Sequence, residues 1–482
     1  MEELDVVVVG AGLSGIAAAW HLQAHCPDRS FVLLEARTAI GGTWDLFRYP
    51  GVRSDSDMFT LGYSFRPWTS ERIMAAGPAI RDYVQDTARE NGIDRRIRFG
   101  HRVTAAQWST PQARWTVTVA TAAGERQLSC RFLFFCSGYY DYAQGHAPVF
   151  PGQDEFRGAI VHPQHWPEEL DYGGKRVVVI GSGATAVTLV PEMAARTAHI
   201  TMLQRSPSWI VALPARDSVG AALQRVLPRA LAYRLVRWKN ILLAMALFQF
   251  ARRRPMAFQR LLLGAARRRL PGFDVDRHLL PRYAPWDQRL CIVPDADLFK
   301  ALGTGRASIV TDEIARFTPT GITLASGAEL PADIIISATG LKLQMLGGTR
   351  LTVDGEPVDL SQRVAYRGAM CEGVPNLALA MGYTNASWTL KAELIARYVC
   401  RVLNHMRAHG EDFCVPVQAG PRGETRPALD LSSGYIQRAA AVLPRQGERK
   451  PWRMLQNYLH DMVSLRFSRL RDGTLRFGRA EP

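Results

Sequence analysis

The chain has 482 residues, of which 47% are hydrophobic and 21% are charged. That length and balance exclude a disordered protein and predict a globular chain of about two to four domains. The formal net charge of +15 comes mainly from arginine. It favours contact with dinucleotide pyrophosphates or an anionic membrane surface, although an arginine-rich overall composition explains it equally well. Nucleic-acid binding is not expected, because the arginines accompany neither aromatic stacking residues nor a reader motif.

The N-terminal sequence Met1–Asp5 is acidic and runs directly into an apolar strand, which is not the pattern of a secretory signal. We therefore expect a cytoplasmic protein, with a peripheral membrane contact left open. The apolar stretch Ile241–Ala251 has about half the length that a membrane-spanning helix needs. The seven cysteines form no C-x-x-C pair and no metal-ligand spacing, so neither a disulfide framework nor a metal site is expected.

The first predicted unit is a strand, a glycine-rich turn, a helix and a second strand. In the turn, Gly10 allows a tight bend, Gly12 lets the backbone approach a pyrophosphate, and Gly15 allows the helix to pack closely on the strand. Glu35 ends the second strand, where its carboxylate can accept hydrogen bonds from ribose hydroxyls and would repel a 2′-phosphate. The pattern predicts a site for FAD or NAD rather than NADP.

A second unit of the same kind begins with the strand at 176–180. Its turn carries Gly181, Gly183 and Ala186 in a G-x-G-x-x-A form, with Thr185 as a further candidate for cofactor contact, and the acid expected after the next strand is missing. Arg205 stands there instead, and a guanidinium can bind a 2′-phosphate. We therefore expect NADPH rather than NADH at this unit, with a solvated surface arginine as the alternative.

The stretch 213–285 is predicted to be a helical insertion, because apolar residues recur at helical spacing between prolines. Three interpretations stay open here: a cap over a substrate pocket, an amphipathic membrane-surface patch, and an ordinary packed subdomain. Runs at 114–119 and 132–136 predict strands that complete the first sheet. Buried-strand patterns at 332–340 and 376–381 are expected to rejoin that sheet.

The connection between the two units reads F-x-G-x-x-x-H-x-x-x-W-P from Phe156 to Pro167. This string resembles the signature of type I Baeyer–Villiger monooxygenases, which use FAD, NADPH and O2. Trp166-Pro167 separates it from the N-hydroxylating and classical flavin-containing enzymes. His162 within the string is interpreted as a hydrogen-bonded linker histidine rather than a general base.

The resemblance also assigns roles to residues outside the two turns. The glycine doublet Gly41-Gly42 resembles the loop that lines FAD in this family, which implies flavin contacts for Gly42 and Trp44. The stretch 48–55 resembles R-Y-P-G-A-R-C-D, which implies that Asp55 lies beside the flavin and orients a catalytic arginine, although spacing alone does not exclude Asp57. That arginine is Arg289, in Trp286-Asp287-Gln288-Arg289.

Two further segments resemble the part of the family that closes the flavin domain. They imply cofactor contacts for Gly340, in the A-T-G motif, and for Asn385. The C-terminal motifs at 432–435, 444–447 and 451–452, together with the tetrapeptide ending in Arg289, resemble the ethionamide-activating branch.

The sequence therefore predicts an α/β fold with two Rossmann-like dinucleotide-binding domains, for FAD and NADPH, and a helical insertion. The predicted division is the FAD-binding domain at 1–140 and 326–410, the NADPH-binding domain at 141–212 and 286–325, the helical insertion at 213–285, and a C-terminal extension at 411–482.

The resemblance implies insertion of one oxygen atom beside the carbonyl of a hydrophobic ketone through a C4a-peroxyflavin, which gives an ester or lactone. Sulfoxidation of thioethers or thioamides is the expected second activity. One alternative is a flavin-dependent S- or N-oxygenase without carbonyl activity, against which Asp55, Arg289 and Trp166-Pro167 argue. Another is a non-oxygenating redox sensor or membrane-surface protein, against which the two intact turns argue. The oligomeric state is left unassigned.

Overall fold

The computed structural model describes residues 1–418, 423–429 and 431–481. The strands of this part of the chain are, in order, β1 (Glu2–Val9), β2 (Phe31–Leu34), β3 (Ile97–Arg98), β4 (Arg102–Ser109), β5 (Arg114–Thr121), β6 (Gly124–Phe135), β7 (Ala159–Val161), β8 (Arg176–Ile180), β9 (His199–Gln204), β10 (Ile210–Leu213), β11 (Cys291–Pro294), β12 (Ala307–Thr311), β13 (Ile314–Thr318), β14 (Gly321–Leu324), β15 (Glu329–Pro331), β16 (Ile334–Ser337), β17 (Arg350–Val353), β18 (Glu356–Pro357), β19 (Ala365–Tyr366), β20 (Met370–Cys371), β21 (Leu377–Leu379), β22 (Phe413–Pro416), β23 (Thr425–Pro427), β24 (Arg445–Gly447) and β25 (Leu475–Gly478).

The α-helices of the same part are α1 (Leu13–His25), α2 (Thr43–Leu46), α3 (Met58–Leu61), α4 (Gly77–Glu90), α5 (Ala184–Met193), α6 (Ser218–Val226), α7 (Arg229–Arg253), α8 (Pro255–Arg269), α9 (Val275–Leu279), α10 (Asp297–Gly303), α11 (Trp388–His409), α12 (Gly434–Arg438) and α13 (Tyr458–Phe467).

The larger sheet has nine strands in the order β18-β17-β4-β5-β6-β1-β2-β3, with β21 also paired to β6. β1 lies between β2 and β6 and is parallel to both. Its residues Val6, Val7 and Val8 are fully buried, which is typical of a parallel strand that is covered on both faces. The first half of β6 forms an antiparallel hairpin with β5, whereas its second half pairs in parallel with β21.

The second sheet has five parallel strands in the order β12-β9-β8-β16-β7. This order corrects one expectation, because the strand predicted at 332–340 does not rejoin the first sheet. Ile334, Ile335 and Ile336 pair in register with β8 on one side and β7 on the other. A short run of buried isoleucines fits the centre of either parallel sheet, so the run itself does not specify its neighbours. The strand predicted at 376–381 does return to the first sheet, as β21.

The predicted helical insertion is observed as α6 to α9, between β10 and β11. Pro228 immediately precedes α7 and Pro255 is the first residue of α8, positions where the missing N–H of proline costs no helical hydrogen bond. The α/β class with two Rossmann-like units and a helical insertion is therefore confirmed. Across the described ranges, no helix combines the length and the apolar character needed to cross a bilayer.

Arg237 of α7 attaches the insertion to the first unit. Its Nη1 donates to the carbonyl oxygens of Phe59, at 2.6 Å, and Gly62, at 2.7 Å, while Nη2 donates to Glu393 Oε2 at 2.9 Å. Arg237 and Glu393 are each 7% exposed. Burial opposes ionisation of the Glu393 carboxyl, but His21 and the charge of Arg237 outweigh it and lower its pKa. The pair is therefore a buried ion pair with most of its hydrogen-bonding groups satisfied.

Replacing Arg237 by leucine should destabilise the protein, because it leaves the Glu393 carboxylate buried without its cation. We expect a loss of about 3–5 kcal/mol, measured as a lower melting temperature in thermal unfolding. Arg234→Leu is the matched control on the exposed side of the same helix, with an expected change within about 0.5 kcal/mol. Equal melting temperatures for both variants would contradict the role assigned to this pair.

Candidate functional site

The first glycine-rich turn, between β1 and α1, packs so closely against neighbouring backbone that a Cβ atom does not fit at two of its positions. Gly10 has a φ of +104°, and a Cβ on it would lie 2.8 Å from the carbonyl oxygen of Cys136. A Cβ on Gly15 would lie 1.9 Å from the carbonyl oxygen of Gly10. Both positions therefore require glycine, and α1 can begin directly behind the strand.

Gly12 and Gly42 form the two sides of a narrow backbone cradle. Gly42 has a φ of +57°, and a Cβ on it would lie 3.0 Å from the Cα of Gly12. Gly12 is the N-cap of α1 and offers no side-chain cap, so the N–H groups of the first turn stay available. Such N–H groups and the positive end of the helix dipole bind phosphate. Trp44, at the start of α2, lines the same space.

Glu35 lies at the end of β2, 7% exposed, and its carboxylate is already oriented by the backbone. Oε2 accepts from the N–H of Ala11 at 2.8 Å and Oε1 accepts from the N–H of Arg37 at 2.9 Å. Glu35 also lines the cavity that contains the cradle. A carboxylate fixed there can accept hydrogen bonds from a ribose, in agreement with the fit expected for a dinucleotide.

At the other end of this cavity, Arg289 faces Asp55. Arg289 Nη2 lies 3.7 Å from Asp55 Oδ2, and both side chains line the cavity. The Asp55 charge raises the pKa of Arg289 above its ordinary value despite the opposing effect of burial. The guanidinium is therefore a permanent cation, and the carboxylate of Asp55 lies beside it.

Asp57, which spacing alone did not separate from Asp55, has a different place. Its Oδ1 accepts from the N–H of Thr60 at 3.1 Å and caps α3, and it also accepts from Asn240 Nδ2 at 2.9 Å. It is not among the residues that line the cavity. Asp57 therefore has the structural role of a helix cap, and Asp55 is the aspartate that faces Arg289.

Three tyrosines surround the Arg289 guanidinium. Burial raises the pKa of Tyr139 and Tyr140 above the ordinary value, and it does the same for Tyr435. Their phenols therefore stay protonated and neutral at physiological pH. Tyr139 and Tyr140 also line the cavity. Asp55 is thus the anionic side chain that balances Arg289 at this point.

The second glycine-rich turn, between β8 and α5, repeats the geometry of the first. Gly181 has a φ of +130°, and a Cβ on it would lie 2.5 Å from the carbonyl oxygen of Ala338. Within the described residues, no heavy atom lies within 4 Å of the Cβ position of Gly183, so the space beside the turn is open. A second phosphate group can enter there.

Both dinucleotide units contribute to one cavity. Ala184 and Thr188 of α5 line the cavity that contains Gly12 and Arg289. Thr185 of the same helix forms a hydrogen bond with Tyr49, and burial raises the pKa of that phenol to about 12. The structure therefore brings the second dinucleotide unit against the end of the first site where Arg289 and Asp55 lie.

Arg205 follows β9 directly and is exposed beside the second turn. Ser182 Oγ donates to the carbonyl oxygen of Ser206 at 3.0 Å, which ties the turn to the segment that carries Arg205. The guanidinium is therefore free to contact a ligand bound at this turn.

The predicted cofactor residues that do not line the cavity are Gly15, Gly181, Gly183, Thr185, Arg205, Gly340 and Asn385. Gly340 has a φ of +111°, and its carbonyl oxygen accepts from the N–H of His146 at 3.1 Å. Asn385 donates from Nδ2 to the carbonyl oxygen of Gln456 at 2.9 Å, while its Oδ1 is buried without a partner in the described ranges. Its neighbour Ala386 lines the cavity.

His162 of the connecting string lies apart from the cavity. Its Nδ1 accepts from the N–H of Gln164 at 3.2 Å, and its ring lies so close to Gly145 that a Cβ there would be 2.0 Å from Cε1. Burial lowers the pKa of His162, so the imidazole is neutral at physiological pH. This environment agrees with the linker interpretation of the histidine.

Two arginines of the cavity were not assigned from the sequence. Arg37 Nη1 and Arg53 Nη2 are buried, and each lacks a hydrogen-bond partner among the residues that the structure describes. Both side chains line the cavity. An unpaired buried guanidinium N–H is costly, so these donors fit a polar or anionic ligand in the cavity. Arg53 lies inside the 48–55 motif and Arg37 two residues after Glu35, which are the only sequence signals for them.

Two dinucleotide folds that contribute to one cavity, with a fixed cation at their junction, define a flavoprotein oxidoreductase. Residues 8–72 match the model of the NAD(P)-binding Rossmann-like domain, and residues 73–239 match that of the flavin-binding monooxygenase-like family. The chain belongs to the family of FAD-containing monooxygenases, as full-length similarity to several of its members shows.

The FAD-containing monooxygenase EthA of Mycolicibacterium smegmatis is 53% identical over 99% of this chain and 97% of its own length. The putative FAD-containing monooxygenase MymA of Mycobacterium tuberculosis is 51% identical over 99% of this chain and 98% of its own. The probable FAD-binding monooxygenase AlmA of Acinetobacter baylyi is 47% identical over 99% and 96%. The predicted family and enzyme class are therefore confirmed.

Solved structures share the fold. A steroid monooxygenase bound to NADP superposes with a TM-score of 0.78 at 22% identity, covering 99% of this chain and 100% of its own. A cyclohexanone monooxygenase bound to ε-caprolactone gives a TM-score of 0.78 at 20% identity with the same coverage.

Gly42→Ala should weaken flavin binding, because the added methyl group would lie 3.0 Å from the Cα of Gly12 and close the cradle. We expect binding to weaken at least about tenfold, or about 1.4 kcal/mol, measured by flavin absorbance per polypeptide during dilution. Gly92→Ala is the matched control, because Gly92 also has a positive φ, of +63°, but has no described neighbour within 4 Å of its Cβ position. Equal flavin loss in both variants would attribute the effect to backbone strain and contradict the cradle.

Proposed function

We propose that this protein is a type I Baeyer–Villiger monooxygenase that converts hydrophobic ketones to esters or lactones. In the overall reaction, ketone, NADPH, a proton and O2 give ester, NADP⁺ and water. The observation that carries the proposal is the Arg289–Asp55 pair in a cavity that the first glycine-rich turn and helix α5 of the second unit both line. Bound FAD supplies hydride acceptance from NADPH and activation of O2, which amino-acid side chains cannot provide.

FAD would be held along the first unit. In this proposal Gly10, Gly12 and Gly42 place backbone against the pyrophosphate, and Glu35 accepts hydrogen bonds from the adenosine ribose. Trp44 lies along the flavin side. Gly15 contributes through helix packing rather than contact. We extend the flavin environment to the segments that carry Gly340 and Asn385. Asn385 Oδ1 has no partner among the described residues and can accept a hydrogen bond from the cofactor.

NADPH would be held by the second turn. Gly181 and Gly183 place backbone N–H groups at the pyrophosphate, and Thr185 lies at the start of α5. Arg205 would bind the 2′-phosphate, since the unit has no acid at that position. The contribution of α5 to the cavity that the first turn lines supports hydride transfer between the two cofactors.

Arg289 would act on the reacting oxygen atoms. Its charge does not depend on pH in the physiological range, and Asp55 fixes its position. A guanidinium fixed in the cavity stabilises negative charge that develops on oxygen, and it polarises a carbonyl group that approaches it. Because neighbouring Tyr139 and Tyr140 stay neutral, they can donate hydrogen bonds without introducing a second charge.

The substrate is proposed to be hydrophobic. Leu61, Ile292 and Leu346 line the cavity together with the aromatic residues near Arg289. An apolar lining of this kind accepts the alkyl groups of a ketone as readily as those of a thioether. We therefore extend the proposal to sulfoxidation of thioethers or thioamides as a second activity.

Arg289→Ala should uncouple cofactor oxidation from product formation. Without the cation, NADPH oxidation would continue but peroxide would replace ester as the product. We expect the rate of ester formation to fall by about 10²–10³, measured by gas chromatography beside NADPH absorbance. Arg282→Ala, an exposed arginine in the preceding loop, serves as the control. An unchanged ratio of ester to NADPH in the Arg289 variant would exclude the role assigned to it.

Arg205→Glu should reverse the nicotinamide preference. A carboxylate there would repel the 2′-phosphate, so we expect KM for NADPH to rise about 10–100-fold while KM for NADH changes little. Initial rates with each cofactor provide the measurement. Arg306→Glu is the control, because Arg306 is exposed and precedes β12, at the opposite end of the paired parallel strands β9 and β12. An equal effect of both variants would indicate general electrostatics rather than phosphate recognition.

A further inference from the structure

Exposed apolar side chains concentrate on the helical insertion. The described residues include eighteen large hydrophobic side chains that are exposed, and eleven of them lie on α6, α7 and α8. Those three helices make up a small fraction of the chain, so the surface is an apolar patch rather than scattered exposure. The insertion therefore has a face without a partner in the monomer.

The central part of this face is a stripe on α7. Leu231, Leu235, Trp238 and Leu242 are 44%, 45%, 37% and 50% exposed, respectively. Their spacing of four, three and four residues places them on one side of the helix. Met256, at 63%, and Leu261, at 58%, extend the exposed apolar surface onto α8. A Trp beside leucines on an exposed stripe is typical of helices that lie in a membrane interface.

The charge of the insertion identifies what this face can meet. Between residues 218 and 273 there are twelve lysines and arginines and not one aspartate or glutamate. Four of the twelve are paired with acids outside this range, namely Arg237, Lys239, Arg252 and Arg267, and the other eight keep the surface basic. Two triplets, Arg252–Arg254 and Arg267–Arg269, lie at the C-terminal ends of α7 and α8. Basic side chains around an apolar stripe match anionic headgroups over acyl chains. A twofold contact with a second copy would instead bring two strongly basic surfaces together.

The opposite side of α7 packs on a residue that lines the active-site cavity. Ile241 is buried against Tyr383 and Leu390, and Met245 packs on the same cluster. Tyr383 lines the cavity that contains Arg289. One helix therefore separates the exposed apolar stripe from the cavity wall.

We propose that α6, α7 and α8 dock the protein on an anionic membrane surface, with the leucine stripe of α7 inserted among the lipid headgroups. The docked enzyme then takes long-chain ketones that are dissolved in the bilayer. Membrane docking is inferred from the exposed surface alone, whereas the uptake of long-chain ketones rests on the proposed monooxygenase function.

Vesicle flotation of the holoenzyme tests docking without NADPH or ketone. We expect wild-type protein to float with phosphatidylglycerol vesicles and about tenfold less with phosphatidylcholine vesicles, and to dissociate at about 0.5 M salt. The double variant Leu235→Glu/Leu242→Glu should lose at least about tenfold in bound fraction. Val149→Glu is the matched control, because Val149 is 88% exposed and lies outside the insertion. Flavin content and melting temperature establish that each variant is folded.

Three results would overturn docking: no flotation of wild type, equal flotation with both lipids, or wild-type flotation of the double variant. If light scattering instead shows a dimer that the double variant dissociates, with no vesicle binding, the face is a contact between two copies and the proposal is wrong.

Kinetics test the delivery of substrate. The double variant should raise KM about tenfold for a long-chain ketone carried in phosphatidylglycerol vesicles and leave kcat and KM for water-soluble cyclohexanone unchanged. An unchanged KM for the vesicle-borne ketone would overturn delivery from the bilayer. Vesicle binding without turnover of either ketone would leave docking intact and reject the proposed function.

Discussion

The Arg289 guanidinium carries a permanent positive charge into the junction of two dinucleotide folds, and the rest of the site is arranged around it. A nearby carboxylate favours the charged form of an arginine, and Asp55 supplies one at 3.7 Å from a guanidinium whose side chain is 37% exposed. The neighbouring tyrosines stay neutral because burial raises their pKa values. The result is a fixed cation that cannot lose its proton, at the place where both dinucleotide units meet.

Both glycine-rich turns serve this arrangement. Each places a helix N-terminus close to a strand end. Gly10 and Gly12 of the first turn line the cavity, and so do Ala184 and Thr188 of the helix that follows the second turn. Arg237 and Glu393 attach α7 to the first unit. The inner side of α7 packs on Tyr383, which lines the cavity, and its outer side faces solvent.

The two turns were predictable from sequence because their constraints are local. Gly10 and Gly181 adopt positive φ values next to neighbouring carbonyl groups, and a few consecutive residues are enough to recognise that geometry. The position of Glu35 as the ribose-binding acid was predictable from its spacing after the glycine-rich turn. The roles of Asp55 and Arg289 were predicted from the family resemblance, and they stay predictions. The structure adds that the two side chains lie 3.7 Å apart.

Other features depend on contacts between distant segments, which local patterns do not encode. The isoleucines of β16 suit either sheet, so their pairing with β8 became clear only in three dimensions. The unpaired donors of Arg37 and Arg53 are visible only once their surroundings are known. Helical spacing in the insertion indicated a repeating apolar pattern, but which apolar side chains remain exposed depends on how α7 packs on the first unit.

The most direct test of the account is the fate of molecular oxygen. The holoenzyme should be incubated with NADPH, a hydrophobic ketone and ¹⁸O2, and the ester analysed by mass spectrometry. If the enzyme is a Baeyer–Villiger monooxygenase, each ester molecule contains one ¹⁸O atom, and one NADPH is consumed for each ester formed. Consumption of NADPH with ¹⁸O recovered only in peroxide, and no labelled ester from any hydrophobic ketone, would contradict it.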